Sequence, residues 1–139
     1  MLPARALPLI LLLAACVPAA APPATPPGPA SGKADFMELC APCHGVTGKG
    51  DGELGKTLAH PPADLTGISA RHGGAFPMAY VMSKIWGYQK GKAPTALMPK
   101  FAPLMEGPLV LVDTGDGIQT PTPQRLVQIA EYLRTIQGK

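Results

Sequence analysis

Two thiols and an imidazole stand together in Cys40-Ala41-Pro42-Cys43-His44. On a helical turn, this spacing sets the two sulfurs at the separation of the vinyl groups of a haem. Each thiol can add to one vinyl as a thioether. The imidazole of His44 then lies under the iron and can ligate it through a ring nitrogen. Other chemistries also use a C-x-x-C pair. A thiol–disulfide redox centre usually sits in a βαβ context, and no such pattern flanks these residues. A zinc site needs a second pair of ligands, and the only other cysteine of the three is Cys16, far upstream. A structural disulfide would suit an oxidising compartment but gives His44 nothing to do. Covalent haem is the reading that uses all the residues of the motif.

An iron held on both faces needs a second axial donor. The chain has six methionines. Met1 belongs to a leader, and Met37 lies too near the attachment site to reach the opposite haem face. Met78 and Met82 fall on one helical face and read as core. That leaves Met98 and Met105, with His60 and His72 as imidazole alternatives. Met98 lies 54 residues beyond His44, ample chain to wrap a haem, and Pro99 after it stiffens its loop. A thioether is a soft, weak donor that favours Fe(II) and raises the potential. Trp86, Tyr80, Tyr88, Arg71 and Lys100 are candidates to bond the haem propionates. Two readings fit Trp86: a buried indole N–H seeking a propionate, and plain core packing.

Three helices can position these groups. Ser31 suits an N-cap for a helix over Gly32–Cys40, on which Phe36, Leu39, Cys40 and Cys43 share one face. A middle helix runs from Met78 to Trp86, favoured by Pro77 at its start and Gly87 at its end. The last helix opens at Thr122 and Pro123. Its apolar stripe is Leu126, Ile129, Ala130, Leu133 and Ile136, and Gly138 can end it. After the attachment histidine comes the glycine-rich stretch Gly45–Glu53, whose lack of side chains lets the backbone pass close to the haem edge. A phosphate loop also uses glycines, but neither phosphate-loop fingerprint is matched.

On these residues, 31–139 resemble the class I (mitochondrial-type) monohaem cytochromes c. Gly32 and Phe36 stand where that family carries a glycine and an aromatic before the attachment site. Tyr132 looks like the aromatic of its last helix. Met98-Pro99-Lys100-Phe101 resembles its Met-Pro-x-Phe ligand loop. The resemblance implies an all-α fold of short helices and long loops around one covalent haem c. It implies that Cys40 and Cys43 hold the haem, and that His44 and Met98 are the axial ligands. It also implies that a proline carbonyl, of Pro61 or Pro62, orients His44. The function implied is one-electron transfer rather than enzymatic turnover, with redox proteins as partners: a membrane respiratory complex or an exported dehydrogenase. The alternative is a haem with a labile sixth position, serving as a gas sensor or a peroxidase-like enzyme.

The chain departs from the family after the ligand loop, where about twenty residues (102–121) precede the last helix. Leu109–Val112 is β-prone and Asp113–Gly117 is a turn signal, which predicts a hairpin over 106–119. Two readings fit it: a partner-docking surface flanking the haem edge, and a loop without function.

The N-terminus predicts export. Arg5 and the apolar run to Ala15 read as a signal peptide over residues 1–15, too short to span a bilayer. Leu13-Ala14-Ala15-Cys16 resembles the lipobox of bacterial lipoproteins, which implies cleavage before Cys16 and its lipidation. An ordinary signal peptide cut near Ala19–Ala21 is the alternative. Residues 16–30 are a Pro/Ala-rich linker, with six prolines between Pro18 and Pro29. In extended polyproline form it reaches roughly 40 Å. The expected location is periplasmic, anchored to a membrane through Cys16. A formal charge of +3 over 139 residues is too mild for a nucleic-acid partner. With aromatics at only 5%, the core is modest, and small cores often need a staple such as a metal or a cofactor.

Overall fold

The computed structural model describes residues 29–87 and 98–138. The signal peptide, Cys16, most of the linker and Tyr88 therefore lie outside the described residues.

The chain enters through α1 (Pro29–Asp35), passes through a π-helical turn (Phe36–Cys40) and continues as α2 (Ala41–His44). The helix thus starts earlier and runs further than the expected Gly32–Cys40, and Ser31 sits inside it rather than capping it. The π-turn has a local cause. Pro42 has no N–H for the carbonyl four residues back, and its ring would collide with that carbonyl. Widening the turn relieves the clash, and the Ala41 N–H instead donates to the Phe36 carbonyl. The haem motif therefore rides on the far end of a helix that its own proline has reshaped.

From His44 the chain loops through a 3₁₀ turn (Gly55–Thr57) to α3 (Ile68–Arg71) and α4 (Met78–Trp86). The bounds of α4 match the expectation, and Gly87 ends it in the left-handed conformation. After a second 3₁₀ turn (Ala102–Leu104) comes a two-stranded antiparallel hairpin, β1 (Leu109–Asp113) and β2 (Gln119–Pro123). The expected hairpin is present but reaches further along the chain. That costs the last helix its first residues: Thr122 and Pro123 pair with Val110 and Leu109, and α5 spans Gln124–Thr135.

The core lies where α5 crosses α1 and the π-turn. Phe36, Leu104, Leu126 and Ile129 are its fully buried large side chains. The rings of Phe36 and Tyr132 meet at 5.1 Å between centroids, tilted by 50°, within the range aromatic pairs favour. The crossing is close because of Gly32. A Cβ there would lie 1.9 Å from the Gln128 carbonyl oxygen, so only glycine admits the two backbones. Beside it, the Arg125 guanidinium donates twice to the Asp35 carboxylate, at 3.0 and 2.6 Å, and once to the Pro103 carbonyl at 2.9 Å. One side chain thus ties α1, α5 and the second 3₁₀ turn together, and the carboxylate beside it holds the guanidinium pKa above its usual value.

Candidate functional site

Cys40, Cys43, His44 and Met98 all line one cavity of about 510 Å³. Its walls are mostly apolar and come from several parts of the fold: Leu39 from the π-turn, Leu58 and Leu65 from the loops, Ile68 from α3, Val81 and Ile85 from α4, Phe101, and Leu133 from α5. That volume and lining suit a large, flat, mostly apolar ligand.

The two thiols are free. Cys40 is buried, and desolvation by burial pushes its thiol up to about 12, helped by the nearby charges of Asp35 and Cys43. A thiol–disulfide redox centre needs the opposite, a lowered thiol pKa. A buried thiol with a raised pKa is a poor thiolate shuttle. Among the described residues, no three His, Cys, Asp or Glu side chains converge to hold a bare metal ion.

His44 is oriented from the side of its Nδ1, which donates to the Ala63 carbonyl at 3.0 Å. A carbonyl only accepts, so the proton sits on Nδ1 and Nε2 keeps its lone pair for a metal. The expected acceptor was Pro61 or Pro62; the structure moves it on to Ala63. Successive carbonyls of an extended chain point to opposite sides. The Pro62 oxygen turns instead toward Gly50, where a Cβ would approach it to 2.3 Å. Gly50 also has a φ of 84°, which glycine adopts without strain. The glycine-rich stretch thus serves the site by letting the 61–65 segment close down on it. Three further bonds pin that segment. The Leu65 N–H donates to Gly48 O at 2.7 Å, the Thr66 N–H to the Asp64 carboxylate at 2.8 Å, and Arg71 to Asp64 O at 2.6 Å.

The candidates for the sixth ligand are distributed over two pockets. Met98 is on the cavity wall. Met105 lines a second pocket, together with Trp86, Lys100 and Phe101. Trp86 is 51% exposed and absent from the main cavity wall, so it is neither plain core nor a wall residue. His60 and His72 do line the cavity. The His72 Nδ1 donates to the Ile68 carbonyl at 2.9 Å, and its ring packs 4.9 Å from that of Tyr80. Arg71, Tyr80 and Lys84 share this wall, and they are the polar side chains best placed for an anionic edge of the ligand. Lys84 went unnoticed in the sequence, as did Leu58, Ile68, Val81 and Ile85. No local pattern distinguishes a cavity wall from ordinary core. No residue of 106–123 lines the cavity, so the hairpin contributes no wall to it. It packs instead at the start of α5, where the Gln124 N–H donates to Pro108 O at 2.9 Å.

Two thiols, an imidazole with a free Nε2 and a soft thioether around one apolar cavity form a donor set that fits a covalently held haem. A family model described as cytochrome c matches residues 29–137. The chain belongs to the cytochrome c family. Neither curated proteins nor solved structures gave a match. As a cytochrome c it carries covalently attached haem c and serves electron transfer. The matched span and α1 both begin at Pro29.

Proposed function

We propose that this cytochrome c is an exported carrier of single electrons, with Cys40 and Cys43 as the thioether anchors and His44 and Met98 as the axial ligands. One observation carries the reading: all four side chains line the same apolar cavity. The bound haem supplies the Fe(III)/Fe(II) couple. The chain supplies everything that makes the couple useful. His44 is held by the Ala63 carbonyl, so its ring does not have to reorient when the iron charge changes. Pro99 stiffens the Met98 loop. With His44 and Met98 both bound, the iron's ligand set would change little between oxidation states and would leave no position for a substrate. The apolar walls keep water from the iron and, with the thioether, favour the ferrous state.

Export and anchoring complete the reading. The signal peptide over 1–15 and the lipobox ending at Cys16 support a mature protein in the periplasm, tethered by its lipidated N-terminus and a proline-rich linker. A tethered carrier meets membrane-bound partners by transient docking, which suits a respiratory complex or an exported dehydrogenase.

The test is spectroscopic. The ferric protein should show the near-infrared band of methionine–iron ligation. Met98→Ala should abolish it while Met105→Ala leaves it. The ferrous wild type should bind CO slowly or not at all. Rapid CO binding by the wild type would replace the carrier with a gas-sensing or peroxidase-like protein.

A further inference from the structure

The two edges of the hairpin differ, and two prolines are the reason. The register pairs Leu109 with Pro123 and Leu111 with Pro121, alternating with Val110–Thr122 and Val112–Thr120. In an antiparallel ladder, facing residues exchange both backbone bonds only at every second pair. Proline has no N–H, so the bonded pairs are Val110–Thr122 and Val112–Thr120. The bond from the Gln124 N–H to Pro108 O continues the same alternation. The other residues turn their backbone outward. The outer edge of β2 therefore presents Pro121 and Pro123, which have nothing to donate. The outer edge of β1 presents the N–H and carbonyl groups of Leu109 and Leu111, and no described residue pairs with them.

The side chains along this open edge are unusual for a surface. Leu109 and Leu111 share one face and are 61% and 65% exposed, and Ile118 beyond the turn is 62% exposed. Residues 102–123 carry Glu106, Asp113 and Asp116 but no lysine or arginine. The Gly115 and Gly117 N–H groups hold the Asp113 carboxyl below the usual carboxylate range. The hairpin is thus an apolar, acidic ledge with one unpaired backbone edge.

We propose that the open edge of β1 is a docking site for a different protein, which adds an extended strand whose apolar side chains are flanked by lysine or arginine. Free edge groups template such a strand, alternate side chains grip it, and the carboxylates select its charge. The charges argue against a second copy. Antiparallel pairing of two β1 strands would set the Asp113–Asp116 turn of one copy against the Glu106 end of the next, carboxylate beside carboxylate. They equally repel an anionic lipid surface. The hairpin lines none of the haem cavity, so a strand added to β1 need not cover it while the domain exchanges electrons elsewhere. The proposal stands whether or not Met98 is the sixth ligand.

The test uses the full haem-loaded chain in its native membranes, treated with a carbodiimide that joins carboxylates to adjacent lysines. The expected product links Glu106, Asp113 or Asp116 to lysines of one other protein. Leu111→Pro deletes an outward N–H without removing a ladder bond. It should cut that product about tenfold, the equivalent of one or two hydrogen bonds. The double variant Leu109→Thr, Leu111→Thr keeps strand propensity but removes the apolar grip. It should also cut the product, and it decides the matter if the proline variant loses the native haem spectrum. Links between two copies of this chain, yields unchanged in the variants, or the absence of any hairpin-linked product would each overturn the proposal.

Discussion

His44 shows how much a single hydrogen bond can decide. The imidazole belongs to the motif, but its tautomer and aim come from the Ala63 carbonyl nineteen residues on, at 3.0 Å. That carbonyl is fixed in turn by Asp64, whose carboxylate accepts from the Thr66 hydroxyl at 2.6 Å and the Thr66 N–H at 2.8 Å. Those bonds, the hydroxyl first, hold the Asp64 carboxyl below its ordinary value. A carboxyl depressed in the folded state stabilises the fold above its unfolded pKa, and that contribution disappears as pH falls through the depressed value. We expect Asp64→Ala to lower the melting temperature at pH 7. The gap to the wild type should close as the pH falls below the ordinary carboxylate range. A gap that is the same at pH 7 and pH 2.5 would show that the charge on Asp64 is irrelevant to the loop. The motif itself was legible because covalent chemistry depends on spacing along the chain. The choice of carbonyl was not, since neighbouring carbonyls differ only in which side of the strand they face.

The helices and the hairpin were legible to different depths. α4 matched its expected bounds because Pro77 and Gly87 punctuate it locally. α5 started late because pairing with β1, a contact between segments, claimed Thr122 and Pro123. The α1–α5 crossing rests on Gly32, whose Cβ in an alanine variant would lie 1.9 Å from the Gln128 carbonyl. Backbone cannot yield as a flexible side chain can. Gly32→Ala should therefore force the helices apart and cost about 3 kcal/mol or more, read as a shifted denaturant midpoint. A loss under about 0.5 kcal/mol would show that the crossing is loose. The Arg125–Asp35 pair joins the same elements, but its guanidinium is more than a third exposed. Arg125→Lys keeps the charge and loses the two-pronged geometry, and should cost only about 1 kcal/mol. Nothing in the spacing of residues 35 and 125 announced that pair; the crossing angle created it.

Taken whole, the molecule is a thin shell of packing around its cofactor site. Few large side chains are fully buried, whereas the cavity measures about 510 Å³. Without a ligand these largely apolar walls would face water, which disfavours the folded state. A bound haem covers that surface and so stabilises the fold. The double variant Cys40→Ser, Cys43→Ser, matured without haem, should lose most of its helical circular dichroism and its cooperative melt. Retention of both would mean that the protein core suffices alone. The scarcity of aromatics in the sequence pointed to this need for a staple, though it could not show the size of the space.

What the sequence determined by itself is the chemistry that lives within a few bonds of the chain. The spacing of Cys40, Cys43 and His44, the proline and glycine signals that bound α4, and the turn after Val112 all act through neighbours along the backbone. Tertiary structure alone put Met98 and Met105 on the walls of different pockets, set Ala63 rather than Pro61 or Pro62 beside His44, and left Trp86 half-exposed. It also gave the hairpin one closed edge and one open one. These outcomes depend on which distant segments share a wall. Packing and closure of the whole chain set that sharing, and no short stretch of residues contains it.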